Sequence, residues 1–236
     1  MDQNTSMDAA KDAVLDAALS HVAFDGWSAA TLAAATADSG VAPGLVTALF
    51  PRGAVDLALA YHYRGDRLMT ERFAAEDHTG QRYSEKVARA VRLRLEAASD
   101  KEAVRRGSTL FALPQHAADG AKAIWGTADA IWKALGDTST DLNWYTKRAT
   151  LSAVYASTVL FWLGDDSTDH QATWDFLNRR IENVMQIEKL KSRMRENPLS
   201  KAFAAGPGRW FDKIKAPVVP DDLPGSMSDT FRPHQR

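Results

Sequence analysis

The sequence predicts an all-α fold. Three observations carry that prediction: alanine is abundant, apolar residues recur at spacings of three and four, and alternating β-branched runs between turn signals are nearly absent. A first helix is expected from about Met7 to Phe24, where Val14, Leu15, Ala18, Leu19 and Val22 form one apolar stripe and Asp25-Gly26 ends it. Ser28 is placed to cap a second helix running to about Asp38, and Ser39-Gly40 makes a tight turn. Pro43 suits the first turn of a short helix to Leu49. Phe50-Pro51-Arg52-Gly53 then breaks the chain before a long helix from about Ala54 to Ala75, with Leu57, Leu59, Tyr61, Leu68 and Met69 on its apolar surface. Further helical segments are expected at about 83–99, 101–112, 115–135, 141–163 and 168–196, punctuated by Pro114, Gly136 and Gly164-Asp165-Asp166. That makes about nine or ten helices.

With 236 residues and 45% apolar content the chain is long enough to bury a substantial core. The formal net charge of −1 offers no global attraction to nucleic acid. The absence of cysteine excludes disulfides, thiolate metal sites and cysteine nucleophiles and points to a reducing, cytoplasmic setting. The first seven residues show neither a basic nor an apolar signal region, so export is not expected. The most apolar stretch, Ala149 to Gly164, is too short and too often interrupted by Ser and Thr to span a bilayer, and is read as a buried helix. The domain reading is a disordered start (1–6), a helix-turn-helix unit (7–53), a helical bundle (54–196), a basic amphipathic segment (197–216) and a disordered tail (217–236).

The order of first helix, helix-turn-helix and longer helical region, from Gly26 through Leu59, resembles the TetR family of transcriptional regulators. In that family the short helix after the turn enters the major groove. Here it is Ala42-Pro43-Gly44-Leu45-Val46-Thr47-Ala48-Leu49, which has no basic residue and only Thr47 as a side-chain donor. Phosphate contacts supply most nonspecific affinity, so this helix is read as a retained structural element with no nucleic-acid partner. A ligand-responsive regulator that binds DNA is the competing reading.

Catalytic motifs are missing. The six histidines lie far apart and none forms an HExxH or ExxH pair; there is no GxGxxG, P-loop or GxSxG. No catalytic residue, metal site or cofactor is assigned. Asp165, Asp166 and Asp169 sit at an interhelix turn, where acids and Ser167 are expected to cap the next helix.

The most informative stretch is Gly136-Asp137-Thr138-Ser139-Thr140-Asp141-Leu142-Asn143-Trp144-Tyr145-Thr146-Lys147-Arg148. Trp144, Tyr145 and Arg148 follow Asp141 by three, four and seven residues, which sets all four on one helical face. Trp, Tyr and Arg are enriched at interface hot spots, so a docking face is one reading. The other is that Asp141 caps the helix, the aromatics pack inside and Arg148 pairs with a nearby acid.

Together with Phe50-Pro51-Arg52-Gly53, Leu113-Pro114-Gln115-His116-Ala117, the Trp125 and Trp132 pair, and the run from Thr173-Trp174 through Arg179-Arg180-Ile181-Glu182-Asn183, this block resembles the ubiquinone biosynthesis accessory family often called Coq nine. The resemblance runs from about Ala9 to Met185 and weakens beyond. It implies a TetR-like fold without a DNA role, homodimers, and binding of phospholipid or isoprenoid quinone intermediates that are presented to the pathway's di-iron hydroxylase. It assigns the hydroxylase-facing patch to Asp141, Trp144, Tyr145 and Arg148.

A ligand with a long isoprenoid tail needs an apolar cavity between helices. Candidate walls are Leu110, Phe111, Trp125, Trp132, Val154, Tyr155, Thr158, Phe161 and Trp162, with Ile124, Ala128, Ile131 and Leu151 nearby. From Lys189 to Lys215 there are eight cations against two carboxylates, interleaved with Leu199, Phe203, Trp210, Phe211 and Ile214. That pattern suits a helix lying on anionic lipid, and the family resemblance implies the same, placing the protein peripherally on the inner membrane.

Overall fold

The computed structural model describes the backbone of residues 3–98 and 100–196 and the side chains of residues 6–98 and 100–186. Every regular element among the described residues is helical: α1 (Gln3–Asp25), α2 (Ala29–Asp38), α3 (Pro43–Leu49), α4 (Ala54–Ala74), α5 (Tyr83–Glu96), α6 (Lys101–Phe111), α7 (Ala117–Ala134), α8 (Leu142–Leu163), a 3-10 turn (Thr168–His170) and α9 (Gln171–Glu196).

Side-chain caps set several of the boundaries. Ser28 accepts from the Thr31 amide at 3.2 Å to start α2. Asp100 accepts from the Glu102 and Ala103 amides to start α6, and Asp141 accepts from Asn143 at 2.9 Å to start α8. Gly40 and Gly53, with φ of +68° and +64°, turn the chain on either side of α3. The last helix starts three residues later than its periodicity predicts. Asp165 accepts from the Thr173 amide and Ser167 from that of Ala172, so the helical ladder opens there, behind a turn in which Asp169 and His170 are left-handed.

Two apolar clusters form the interior. In the first, Val14, Leu15, Ala18 and Val22 of α1 meet Val46, Phe50 and Leu57, and α6 joins through Ala103. Four of the five residues of the predicted α1 stripe are thus buried and Leu19 is partly so, with Val14, Leu15 and Val22 each contributing roughly 1.5–3 kcal/mol by transfer from water. In the second, α5, α7, α8 and α9 pack through Val91, Ile131, Leu151 and Leu177. Close approach of α7 to α6 depends on Gly120, where a Cβ would lie 2.7 Å from the Phe111 Cβ. On α3 Val46 is buried and Leu49 packs partly against the same cluster, leaving Pro43, Gly44, Leu45, Thr47 and Ala48 on the surface with no cation among them.

No described helix is long and apolar enough to cross a membrane. Leu199, Phe203, Trp210, Phe211 and Ile214 lie outside the described residues.

Candidate functional site

Between the two clusters α4, α5, α6, α7 and α8 leave a cavity of about 390 Å³. Its walls are mostly apolar, built from residues such as Ala58, Val104, Phe111, Ile124, Val159 and Trp162. Polar groups gather at one wall, where His62 of α4 and Arg94 of α5 border the space. Behind them sit two groups that do not reach it. Asp66 accepts from Arg94 Nε at 2.6 Å and from the Thr127 hydroxyl at 2.8 Å. Arg94 also donates from Nη2 to the His62 carbonyl at 2.9 Å. Since Thr127 spends its proton on Asp66, it accepts from His62 Nε2 at 2.8 Å, which assigns the ring proton to Nε2. Burial, reinforced by the charge of Arg94, pushes the His62 imidazole down to about 4, so it is neutral at pH 7.

A second, smaller cavity of about 270 Å³ lies at the other end of α5. Val87, Trp132, Leu151, Val154, Ile181 and Lys147 are among its walls.

The segment joining α7 to α8 is organised by one carboxylate. Asp137 accepts from Lys147 Nζ at 2.7 Å, from the Ser139 hydroxyl at 2.8 Å and from Arg148 Nη1 at 3.2 Å. Burial raises the Asp137 carboxyl, but those hydrogen bonds outweigh it and hold the group at about 2. Arg148 reaches from α8 to Asp129 of α7 at 2.6 Å, and its guanidinium lies 4.0 Å from the centre of the Trp144 ring. Trp144 in turn packs edge-on against Tyr145, at 4.8 Å, and near Trp125, at 5.9 Å.

These groups make a definite acid response. His62 has a folded value below its ordinary 6.5, so the unfolded chain binds the extra proton and stability falls as pH drops from 6.5 to about 4. Asp137 has a folded value below its ordinary 3.8, so its contribution is full above that pH and is lost as pH falls towards 2. Urea midpoints measured against pH are expected to decline through both windows, and His62→Gln should flatten the upper one; a midpoint constant from pH 7 to 4 would contradict the buried neutral imidazole.

The comparisons with known proteins fall on this architecture. Residues 117–188, from α7 into α9, match the COQ9 family model. The Drosophila melanogaster mitochondrial ubiquinone biosynthesis protein COQ9 is 32% identical over 197 residues, covering 80% of this chain and 60% of that protein. The probable coq9 protein of Dictyostelium discoideum is also 32% identical, covering 78% and 62%. This chain is a relative of the COQ9 proteins. It spans about 60% of the length of these curated COQ9 relatives. Among solved structures, a TetR transcriptional regulator from Nitrosomonas europaea superposes with a TM-score of 0.60 at 21% identity, covering 73% of this chain and 95% of that one, so the fold is TetR-like.

The COQ9 match contains the whole 136–148 segment and both α7 and α8 walls of the larger cavity, whereas His62, Asp66 and Arg94 lie outside it. The four residues assigned to the docking patch do not share one open face. Asp141 is exposed and caps α8, and Trp144 and Tyr145 are half-buried. Arg148 is only 1% exposed, because its side of α8 faces α7 and its charge is taken up by Asp129 and Asp137. The nine assigned lipid residues also divide. Phe111, Tyr155 and Trp162 line the larger cavity; Trp132 and Val154 line the smaller. Leu110 packs on the N-terminal cluster, and Trp125 sits beside Trp144. Thr158 is sealed in the core, its hydroxyl bonded to the Val154 carbonyl, and Phe161 stacks outside on Phe176. None of these four borders either cavity.

The His62, Asp66, Thr127 and Arg94 network is absent from the sequence reading. One signal for it was present: an isolated glycine, Gly65, inside a long helix beside His62 and Asp66. A Cβ there would lie 2.5 Å from Arg94 Nη1. Among the described residues no group of three or more His, Asp or Glu is placed to hold a metal.

Proposed function

We propose that this chain is a non-catalytic accessory protein of ubiquinone biosynthesis. In this reading it binds an isoprenoid quinone precursor or phospholipid between its helices and presents it to the demethoxyubiquinone hydroxylase at a membrane. The single observation that carries this reading is the mostly apolar cavity of about 390 Å³ in a fold whose COQ9 relatives are named for ubiquinone biosynthesis. The hydroxylase would meet the surface around Asp141, Trp144 and Tyr145, with Arg148 holding the Trp144 ring from beneath. A homodimer would cover the exposed apolar residues of α8 and α9, where Leu160 is 67% exposed. Anchoring would fall to the basic segment after Asn197, which keeps the protein cytoplasmic and peripheral to the inner membrane.

Mass spectrometry of organic extracts from the purified protein tests the cavity, and prenylated quinone precursors or phospholipid should be recovered in near-stoichiometric amounts. Recovery of a protein free of any lipid would defeat the reading. For the patch, Trp144→Ala is expected to weaken hydroxylase capture at least tenfold, the scale of an interface hot spot, while the bound lipid stays unchanged.

A further inference from the structure

Two carboxylates share the Arg148 guanidinium, and they are not equivalent. Asp129 belongs to α7; its Oδ1 takes Arg148 Nε at 2.6 Å, and its Oδ2 takes the ammonium of Lys133, a side chain 72% exposed. Asp137 lies in the connection between α7 and α8, and its side chain is only 3% exposed. Its Oδ1 takes Lys147 Nζ and the Ser139 hydroxyl, and its Oδ2 takes Arg148 Nη1. Lys147 closes the ring by donating to the Ser139 hydroxyl at 2.7 Å. One buried carboxylate thus ties residues 137–139 to two side chains on the second turn of α8. The same Arg148 nitrogen donates to the Trp144 carbonyl at 3.2 Å, and the guanidinium lies 4.0 Å from the centre of the Trp144 ring. Ahead of that ring along the chain, Thr138, Thr140, Asp141 and Asn143 are all exposed. A polar segment of this kind buries little apolar surface to offset the entropy of ordering it, so its conformation follows from the Asp137 contacts and from the cap at Asp141.

From this arrangement we infer that Asp137 is a positioning residue for partner docking: shielded from the hydroxylase itself, it holds the 138–143 segment and the Trp144 ring in one arrangement before the partner arrives. It rests on the docking reading above and adds the group that prepares that surface, a role Asp129 does not share. Preorganisation of this kind spares the complex the ordering of a loop on binding. The role requires a carboxylate. The single oxygen of an asparagine would serve either the Lys147 side or the Arg148 side, and its amide would then face the other cation, neither of which accepts. Arg148 would keep Asp129 as counter-ion, so the buried charge stays paired. At position 129 the same change is mild, because an asparagine oxygen can stay on Arg148 while its amide displaces Lys133 into water.

Capture of the purified demethoxyubiquinone hydroxylase by the full chain, together with amide hydrogen exchange of the free protein, tests it. Asp137→Asn should weaken capture about tenfold, the loss expected of Trp144→Ala, and should speed exchange in residues 138–144 while residues 151–163 of α8 exchange as in the wild type. Asp129→Asn should stay within about twofold of the wild type, and so should Leu15→Ala, which destabilises the distant N-terminal cluster without touching the surface. Ser139→Ala, at a half-buried side chain whose loss the fold tolerates, should weaken capture about threefold by removing one hydrogen bond from the same ring. Unchanged capture by Asp137→Asn overturns the inference. So does an equal loss in Leu15→Ala, which would mean that capture merely follows stability. If Asp137→Asn does not fold, unchanged capture and exchange in Ser139→Ala overturn it in the same way. A wild type that captures no hydroxylase, or a capture indifferent to Trp144→Ala, brings down the docking reading and this inference with it, whereas a loss in Trp144→Ala with none in Asp137→Asn removes only the positioning role.

Discussion

Arg148→Met should lower stability by roughly 3–5 kcal/mol, the scale expected when one partner of a buried ion pair is removed. The side chain is 1% exposed, and its guanidinium is shared between Asp129 on α7 and Asp137 in the connection to α8. Without it, Asp137 keeps Lys147 and Asp129 keeps Lys133, but neither lysine fills the space between the two helices. The Trp144 ring also loses the cation at 4.0 Å that supports it. A urea titration should show the midpoint fall while Lys133→Met, at a side chain 72% exposed, changes stability by less than about 1 kcal/mol. Equal effects of the two substitutions would mean that Arg148 carries no buried pairing. For the same reason, loss of partner binding in an Arg148 variant would reflect displaced aromatics as much as a lost contact, and Trp144 is the more direct probe of the surface.

Gly65→Ala is the second substitution expected to act strongly, and its sign is opposite to helix propensity. In an open helix the change would stabilise by about 1 kcal/mol. At this position the new methyl would lie 2.5 Å from Arg94 Nη1 and 2.6 Å from Cζ. An arginine end normally swings aside, but this one is fixed by Asp66 and the His62 carbonyl and has a side chain only 5% exposed. Displacing it strains or breaks the pair, so a net loss of about 2 kcal/mol is expected from the combined overpacking and weakened ion pair. Thermal unfolding of the variant decides the matter: a raised midpoint would show that Arg94 moves freely.

Local sequence information was enough for the elements. The period of apolar residues, the caps Ser28 and Asp141 and the breaks at Gly53 and Gly136 place most helices within a few residues of where they lie, because these signals act within one or two turns. The start of α9 was misplaced because its cap comes from Asp165, eight residues before the amide it satisfies, through a turn of left-handed residues that periodicity does not encode. The patch was legible in part. The spacing from Asp141 to Arg148 shows which residues share a helical side, but not that the far end of that side meets α7.

By itself, then, the sequence determined the helical class, the helix-turn-helix arrangement without cations on α3, and the kinship carried by the block around Trp144, since each is written in neighbouring residues. Only the tertiary structure decided which aromatics line a cavity and which merely pack, and it alone brought His62, Asp66, Arg94 and Thr127 from three helices into one network. The physical reason is that burial and charge pairing are properties of the space between helices. Helical periodicity fixes the direction a side chain leaves its own helix, and what it meets there depends on the packing of the others.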